Sequence, residues 1–311
     1  MELVEEYKQQ KLVGTNRIII NDAEGVDSDL VLKNTKIAFK GERNVVVVDK
    51  GTNITNSSIT FEGNDSLVYI KKSRNPVNIR ASVFSETCLF IDTGASFNGA
   101  ISISLSEREN VLIGKDCMFS FGIWLRTSDV HLIYDLQGNR INNSKGIILG
   151  DHIWVGQDVH FTKGSMVGSG TVVGAKSLVS GILSSNCTYA GIPCRKIKSD
   201  TFWDRPSTHN YSREQTKESQ KYKGNIANFN FVKKNKGNLS EKIAVYNALK
   251  ELKSVPEKIK LIEEKIVNGK PLVCENKVDK ITKVNNIDKV NEATSTIYKR
   301  IGKVVKRYLK K

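Results

Sequence analysis

Among the four histidines of this 311-residue chain, one stands in a polar segment that breaks an otherwise regular pattern. It is His131, in the stretch Thr127-Ser-Asp-Val-His-Leu-Ile-Tyr-Asp135. An imidazole titrates near neutral pH and can take a proton from an attacking hydroxyl. Asp129 and Asp135 are near enough in sequence to orient the ring, and so is a group from elsewhere in the fold. Taken alone, the residue also fits a surface histidine in a turn. The remaining histidines are His152, His160 and His209.

The elements that must position these groups follow from a six-residue period. Leu149, Val155, Phe161, Val167, Val173 and Val179 are all apolar and six apart. Each precedes a small or polar residue: Gly150, Gly156, Thr162, Gly168, Gly174 and Ser180. Six residues supply one short strand and one turn. Three such units make a triangular coil of about eighteen residues whose inward side chains stack on those of the next coil. A helix has period 3.6 and a simple strand period 2, so neither accounts for the pattern. The period extends upstream through Ile113, Phe119 and Leu125, skips residues 127–146, and resumes at Leu149. That segment carries Gly138-Asn139 and Asn142-Asn143, and it reads as a loop extruded from the coil. Between residues 25 and 110, short apolar runs such as Val45–Val48 and Leu67–Ile70 read as irregular coils of the same solenoid. Residues 1–24 read as its N-terminal cap. On this coil His152 faces outward as a second candidate base. His160 is a solvated coil residue, and His209 lies in a linker.

Composition sets the outer limits. Hydrophobic content is 39%, and no segment approaches the ~20 apolar residues of a membrane span. The acidic start Met1-Glu-Leu-Val-Glu-Glu lacks the apolar run of a signal peptide, and a cytoplasmic location is expected. The five cysteines, Cys88, Cys117, Cys187, Cys194 and Cys274, show no metal-knuckle spacing and read as reduced thiols. Of the net +15, about +14 falls on residues 201–311, which points to a boundary near residue 200 and to an acidic partner for the C-terminal third.

The hexapeptide run closes in Tyr189-Ala-Gly-Ile-Pro-Cys-Arg-Lys-Ile-Lys198. With Gly150-Asp-His-Ile-Trp-Val-Gly156 and the Thr127/His131 pair, it resembles the left-handed β-helix acyltransferases that use acetyl-CoA. The likeness spans roughly residues 100–200. It is greatest toward capsular polysaccharide O-acetyltransferases, including those acting on sialic acid polymers. One departure is the His131-Leu132 step, where the family often has His-Pro. The implied fold is mainly β: a left-handed parallel β-helix over residues 25–200 with an extruded loop, followed by a basic helical region over 201–311. The implied assembly is a homotrimer with active sites between subunits and direct acetyl transfer without an acyl-enzyme.

The resemblance assigns roles to particular residues. His131 is the general base, with Asp129 as a candidate to orient it. Trp154 lies against the acceptor or the pantetheine, to which an aromatic face is suited, although it also fits a cap on the outer wall. Gly156 and Gly174, eighteen apart, stack on successive coils, as do Gln157 and Ala175. Gly174-Ala175-Lys176-Ser177 matches the coenzyme rung. Arg195, Lys196 and Lys198 suit the coenzyme phosphates, with Lys163 and Lys176 as further options. The zinc-dependent members of the same fold need histidine ligands at a spacing that His152 and His160 lack, so no metal is expected. The alternatives are an N-acetyltransferase on a nucleotide-linked amino sugar and a non-catalytic solenoid scaffold. The N-terminal third has no Gly-rich phosphate loop, which favours O-acetylation.

In the C-terminal third, Leu239–Leu249 and the stretch after Pro256 have apolar residues at helical spacing. Residues 295–311 combine an Ile/Val/Tyr/Leu stripe with seven Lys and Arg. Such a helix suits an anionic membrane surface, and it also fits packing in a small bundle. A polyanionic glycan is another acidic partner. Nucleic acid is disfavoured because no aromatic-interleaved basic motif is present.

Overall fold

The computed structural model describes the backbone of residues 2–4 and all of residues 15–21, 30–233 and 239–269. These fall in the first of two compact units, Met1–Lys270; the second, Pro271–Lys311, lies outside the described residues, and with it the basic segment 295–311.

The chain winds into a parallel β-solenoid of about seven turns with three faces. Face 1 includes Lys36–Phe39, Ser58–Phe61, Ile79–Val83, Ile101–Leu105, Trp124–Arg126, His160–Phe161 and Leu178–Val179. Face 2 runs from Arg17–Asn21 through Val45–Asp49, Leu67–Ile70, Cys88–Ile91, Val111–Ile113, Ile147–Leu149 and Met166–Val167 to Ile182–Leu183. Face 3 holds Ser96–Phe97, Met118–Phe119, Trp154–Val155, Val172–Val173 and Thr188–Ala190, and ends on the antiparallel strand Arg195–Lys198. Arg17–Asn21 pairs in parallel with Val45–Asp49, so coil structure reaches into the segment expected to be the cap.

The N-terminal coils are regular, but their period is not eighteen. Ser58, Arg80, Ser102 and Trp124 are register partners 22 residues apart, and the same step links Val45 with Leu67 and Leu89 with Val111. After the extruded loop the step is 18, from His160 to Leu178 and from Trp154 to Val172. The longer coils have longer strands, four or five residues against two. Inward positions alternate as a half-buried strand requires: Ile79, Ala81 and Val83 are buried while Arg80 is exposed. Stacked pairs such as Phe39 with Phe61 (4.9 Å) and Phe97 with Phe119 (5.6 Å) join successive coils.

Face 2 is buried on both sides, which explains its continuous apolar runs. Its cover is the C-terminal region. After α1 (Arg213–Glu218), helix α2 (Leu239–Glu251) packs on Ile147–Leu149 and α3 (Val255–Ile262) on Leu67–Ile70. The fully buried Lys258 of α3 donates to the carbonyl oxygens of Glu86 (2.7 Å) and Asp65 (3.3 Å). Residue 200 therefore marks a change from strand to helix, not a break in packing. No helix of the described residues is long and apolar enough to cross a membrane.

Candidate active site

The extruded segment leaves the corner between faces 1 and 2. Its neck is closed by the Lys145 amide donating to the Thr127 carbonyl at 3.0 Å. Beyond the neck it forms a small hairpin: Ile141 N–H donates to Ile133 O, Asp135 N–H to Asn139 O, and Tyr134 bridges Arg140. The Asp135 carboxylate is spent on the turn, accepting from the Asn139 and Gln137 amides. These bonds, with the Asn139 side chain, hold its carboxyl below the usual range.

His131 is exposed, and its ring makes no hydrogen bond among the described residues. Its main chain is fixed: the His131 amide donates to Asp129 O (2.8 Å), and its carbonyl accepts from Asn142 Nδ2 (2.7 Å). The buried Asn142 also donates to Asp129 Oδ2 at 3.1 Å and accepts from the Ile133 amide at 2.9 Å. Asp129 pairs with the Lys163 ammonium instead of the imidazole, and that hydrogen bond is the main reason its carboxyl lies below the ordinary value. Lys163, which also reaches Asn142 O at 2.9 Å, is a strut of the loop base and is not free for a phosphate. Neither neighbouring aspartate orients the ring.

His152 is held elsewhere. It is buried at the corner between faces 2 and 3, with Nδ1 2.7 Å from Asp116 Oδ2 and Nε2 3.0 Å from the Trp203 carbonyl oxygen. The two rings stack at 4.1 Å, and Trp203 Nε1 donates to His152 O at 2.9 Å. Arg205 and Arg74 complete the ring of donors around Asp116. Burial pushes the Asp116 carboxyl up, but hydrogen bonds from His152, Arg205 and Arg74 outweigh it and hold the group well below the carboxylate range. This cluster ties residues 203–205 to face 3, and it removes His152 as a base. His160, on face 1, lies 6.2 Å from Trp124.

Trp154 stands half-exposed on face 3, its ring 6.1 Å from Trp203. Gly156 and Gly174 follow on successive coils at the corner between faces 3 and 1. A Cβ on Gly156 would lie 2.6 Å from Ala175 N, so the contact between coils itself demands glycine there. A Cβ on Gly174 would lie 2.8 Å from that of Ala190. Ala175 and Lys176 are exposed, and the Lys176 amide donates to Gln157 O at 2.7 Å. Arg195 pairs with Ala190 and Lys196 with Tyr189, and the side chains of Arg195–Lys198 are all exposed. Of the six residues expected to hold the coenzyme, Gly156, Gly174, Ala175 and Lys176 share one corner, and Arg195 and Lys196 lie beside it on the last strand of face 3.

Within one chain the two halves do not meet. His131 rises from the corner between faces 1 and 2, the small-residue strip follows the corner between faces 3 and 1, and face 1 separates them. Sequence reasoning missed Asn142, Lys163 and Asp116 as organising residues. The only local signal was their clustering of amide and charge in the non-periodic segment and at corners.

No protein-family model matches the chain. Over 147 residues, 47% of this chain and 67% of the relative, it is 30% identical to a polysialic acid O-acetyltransferase of Neisseria meningitidis. It is 35% identical over 102 residues to a polysialic acid O-acetyltransferase of Escherichia coli O1:K1 / APEC, a match covering 32% of this chain and 33% of that one. Among solved structures, the polysialic-acid-specific acetyltransferase NeuO superposes with a TM-score of 0.56 at 28% identity, over 66% of this chain and 94% of its own. The chain belongs to the left-handed β-helix acyltransferases built from hexapeptide repeats, in the branch that includes these O-acetyltransferases. It is an enzyme, and its reaction is acyl transfer to oxygen.

Proposed function

We propose that the protein transfers an acetyl group from acetyl-CoA to a hydroxyl of a surface polysaccharide of the sialic acid type, or of its precursor. The names of its relatives support the acceptor class. The observation that carries the mechanism is the exposed His131 imidazole on a loop whose backbone is pinned by Asn142. His131 takes the proton of the attacking hydroxyl as its oxygen bonds to the acetyl carbonyl carbon. The proton then passes to the departing sulfur, and the imidazole returns neutral. Acetyl-CoA supplies the activated acetyl as a thioester. Its phosphates fit the exposed Arg195, Lys196 and Lys198, and its thin pantetheine fits the strip Gly156, Gly174, Ala175 and Lys176. Trp154 lines the same cleft.

The reading requires a second copy, because face 1 separates the base from the strip. Three copies with their first faces around a common axis would set the loop corner of each beside the strip corner of the next. The loop's exposed Val130, Leu132, Tyr134, Leu136 and Ile141 suit such a contact. The homotrimer is part of the proposal, as is attachment of residues 295–311 to an anionic membrane surface.

The test is acetyl transfer to a panel of glycans, read by mass shift, for the wild type and His131→Ala. Transfer to sialic acid polymers, lost in the variant, is expected. Full activity of His131→Ala would rule out the base, and transfer to neutral glycans alone would rule out the acceptor class.

A further inference from the structure

Helix α2 does more than cover face 2. Its buried Tyr246 donates its hydroxyl to Glu109 and accepts from the Gly146 amide at 3.0 Å. Lys250, one turn on, donates to the other Glu109 oxygen at 2.6 Å. Gly146 is the last residue of the extruded segment, and a Cβ there would run into the Tyr246 ring. Glu109 belongs to the turn 106–110 of the preceding coil, where Glu107 and Arg108 both have left-handed backbone (φ 53° and 61°).

The same turn holds the loop from its other side. Both carboxylate oxygens of Glu107 accept from Arg140 Nη2, at 2.8 and 2.9 Å, and one of them also accepts from Ser144 Oγ. Ser106 meets the outgoing strand: its amide donates to Thr127 Oγ1 at 2.9 Å, and its Oγ lies 2.6 Å from Ser128 Oγ. The turn is thus a strut between helix and loop. Glu109 and Gly146 are tied to α2; Ser106 and Glu107 are tied to both arms of the segment that carries His131. The Glu109 carboxylate is almost fully buried, so it keeps its place only while Tyr246 and Lys250 satisfy it.

We propose that α2 is a positioning element for the acetyl-transfer loop, with Tyr246 and Lys250 acting through Glu109 and the turn 106–110 to fix where His131 stands. The inference rests on His131 being the base. It makes the C-terminal region part of the catalytic apparatus, although none of its residues touches the reacting atoms.

The test combines amide exchange by mass spectrometry with kinetics on acetyl-CoA and sialic acid oligomers. Tyr246→Phe keeps the ring and removes the hydroxyl; Lys250→Met removes one charge from the half-exposed edge and is the milder change. Both should speed exchange in peptides covering 127–146 while peptides covering 58–105 exchange as in the wild type. Both should lower kcat, for Tyr246→Phe by roughly ten- to hundredfold, with the KM for acetyl-CoA unchanged. Unaltered exchange in 127–146 in both variants overturns the proposal, and so does faster exchange with wild-type kcat. If exchange rises and kcat falls while His131→Ala remains fully active, the bracing stands and the assignment of the base fails.

Discussion

Asn142 donates its side-chain amide to the carbonyl oxygen of His131 at 2.7 Å, across the eleven residues of a hairpin. The bond fixes the peptide of the proposed base and leaves its ring free to meet substrate. Each of the three other groups near the base, Asp129, Lys163 and Ile133, also bonds Asn142. Asn142→Ala should therefore lower kcat without abolishing it, by less than the ~10²–10⁴ that a general base contributes. Steady-state rates of Asn142→Ala and His131→Ala, measured side by side, check the order.

Asp129 serves Lys163, not the imidazole. Asp129→Asn should cost far less activity than His131→Ala, and its effect should be matched by Lys163→Met. A rate for Asp129→Asn as low as that of His131→Ala would mean that the carboxylate turns to the ring during the reaction.

The Asp116 cluster gives a pH dependence of known sign. The folded carboxyl lies below its unfolded value of about 3.9, so its contribution to stability is present above that value and is lost as the pH falls beneath it. The urea midpoint of the wild type should exceed that of Asp116→Asn at neutral pH, and the gap should narrow below about pH 4. His152→Ala should also lower the midpoint by removing a buried stacked ring, yet leave the kcat pH profile unmoved.

Gly156 faces the backbone of the next coil, with Ala175 N 2.6 Å from where a Cβ would sit. Gly156→Ala should destabilise the protein by about 1–3 kcal/mol, the usual range for overpacking. Thermal unfolding with and without coenzyme A separates this loss from any loss of binding.

Deleting residues 295–311 should release the protein from anionic vesicles and leave its binding to neutral vesicles unchanged. Raising the salt should weaken the intact protein's co-sedimentation.

The C-terminal half of the solenoid was legible because its six-residue period is written in single side chains, from Leu149 to Val179. The N-terminal half was read as irregular because a 22-residue coil is not a multiple of six. Only the paired register of Ser58, Arg80, Ser102 and Trp124 reveals its order. The Leu67–Ile70 run hid its direction because α3 buries its outer side as well as its inner one. His131 stood out as a polar break in a pattern. His152 misled because its position on the coil faces outward, and the return of Trp203, 51 residues later, covers it together with Phe229 and Phe231. The contact of Tyr246 with Glu109 spans 137 residues and leaves no local trace.

The neck at Thr127 and Lys145 carries a consequence for divergence. Met118 and Trp154 remain register partners although 36 residues separate them, twice the later coil step. The wall of the solenoid is therefore indifferent to what the neck encloses. Hairpins of other lengths and chemistries can be exchanged at this corner without shifting a single rung above or below. The loop can then change in one short cassette while the rungs on either side of it stay as they are.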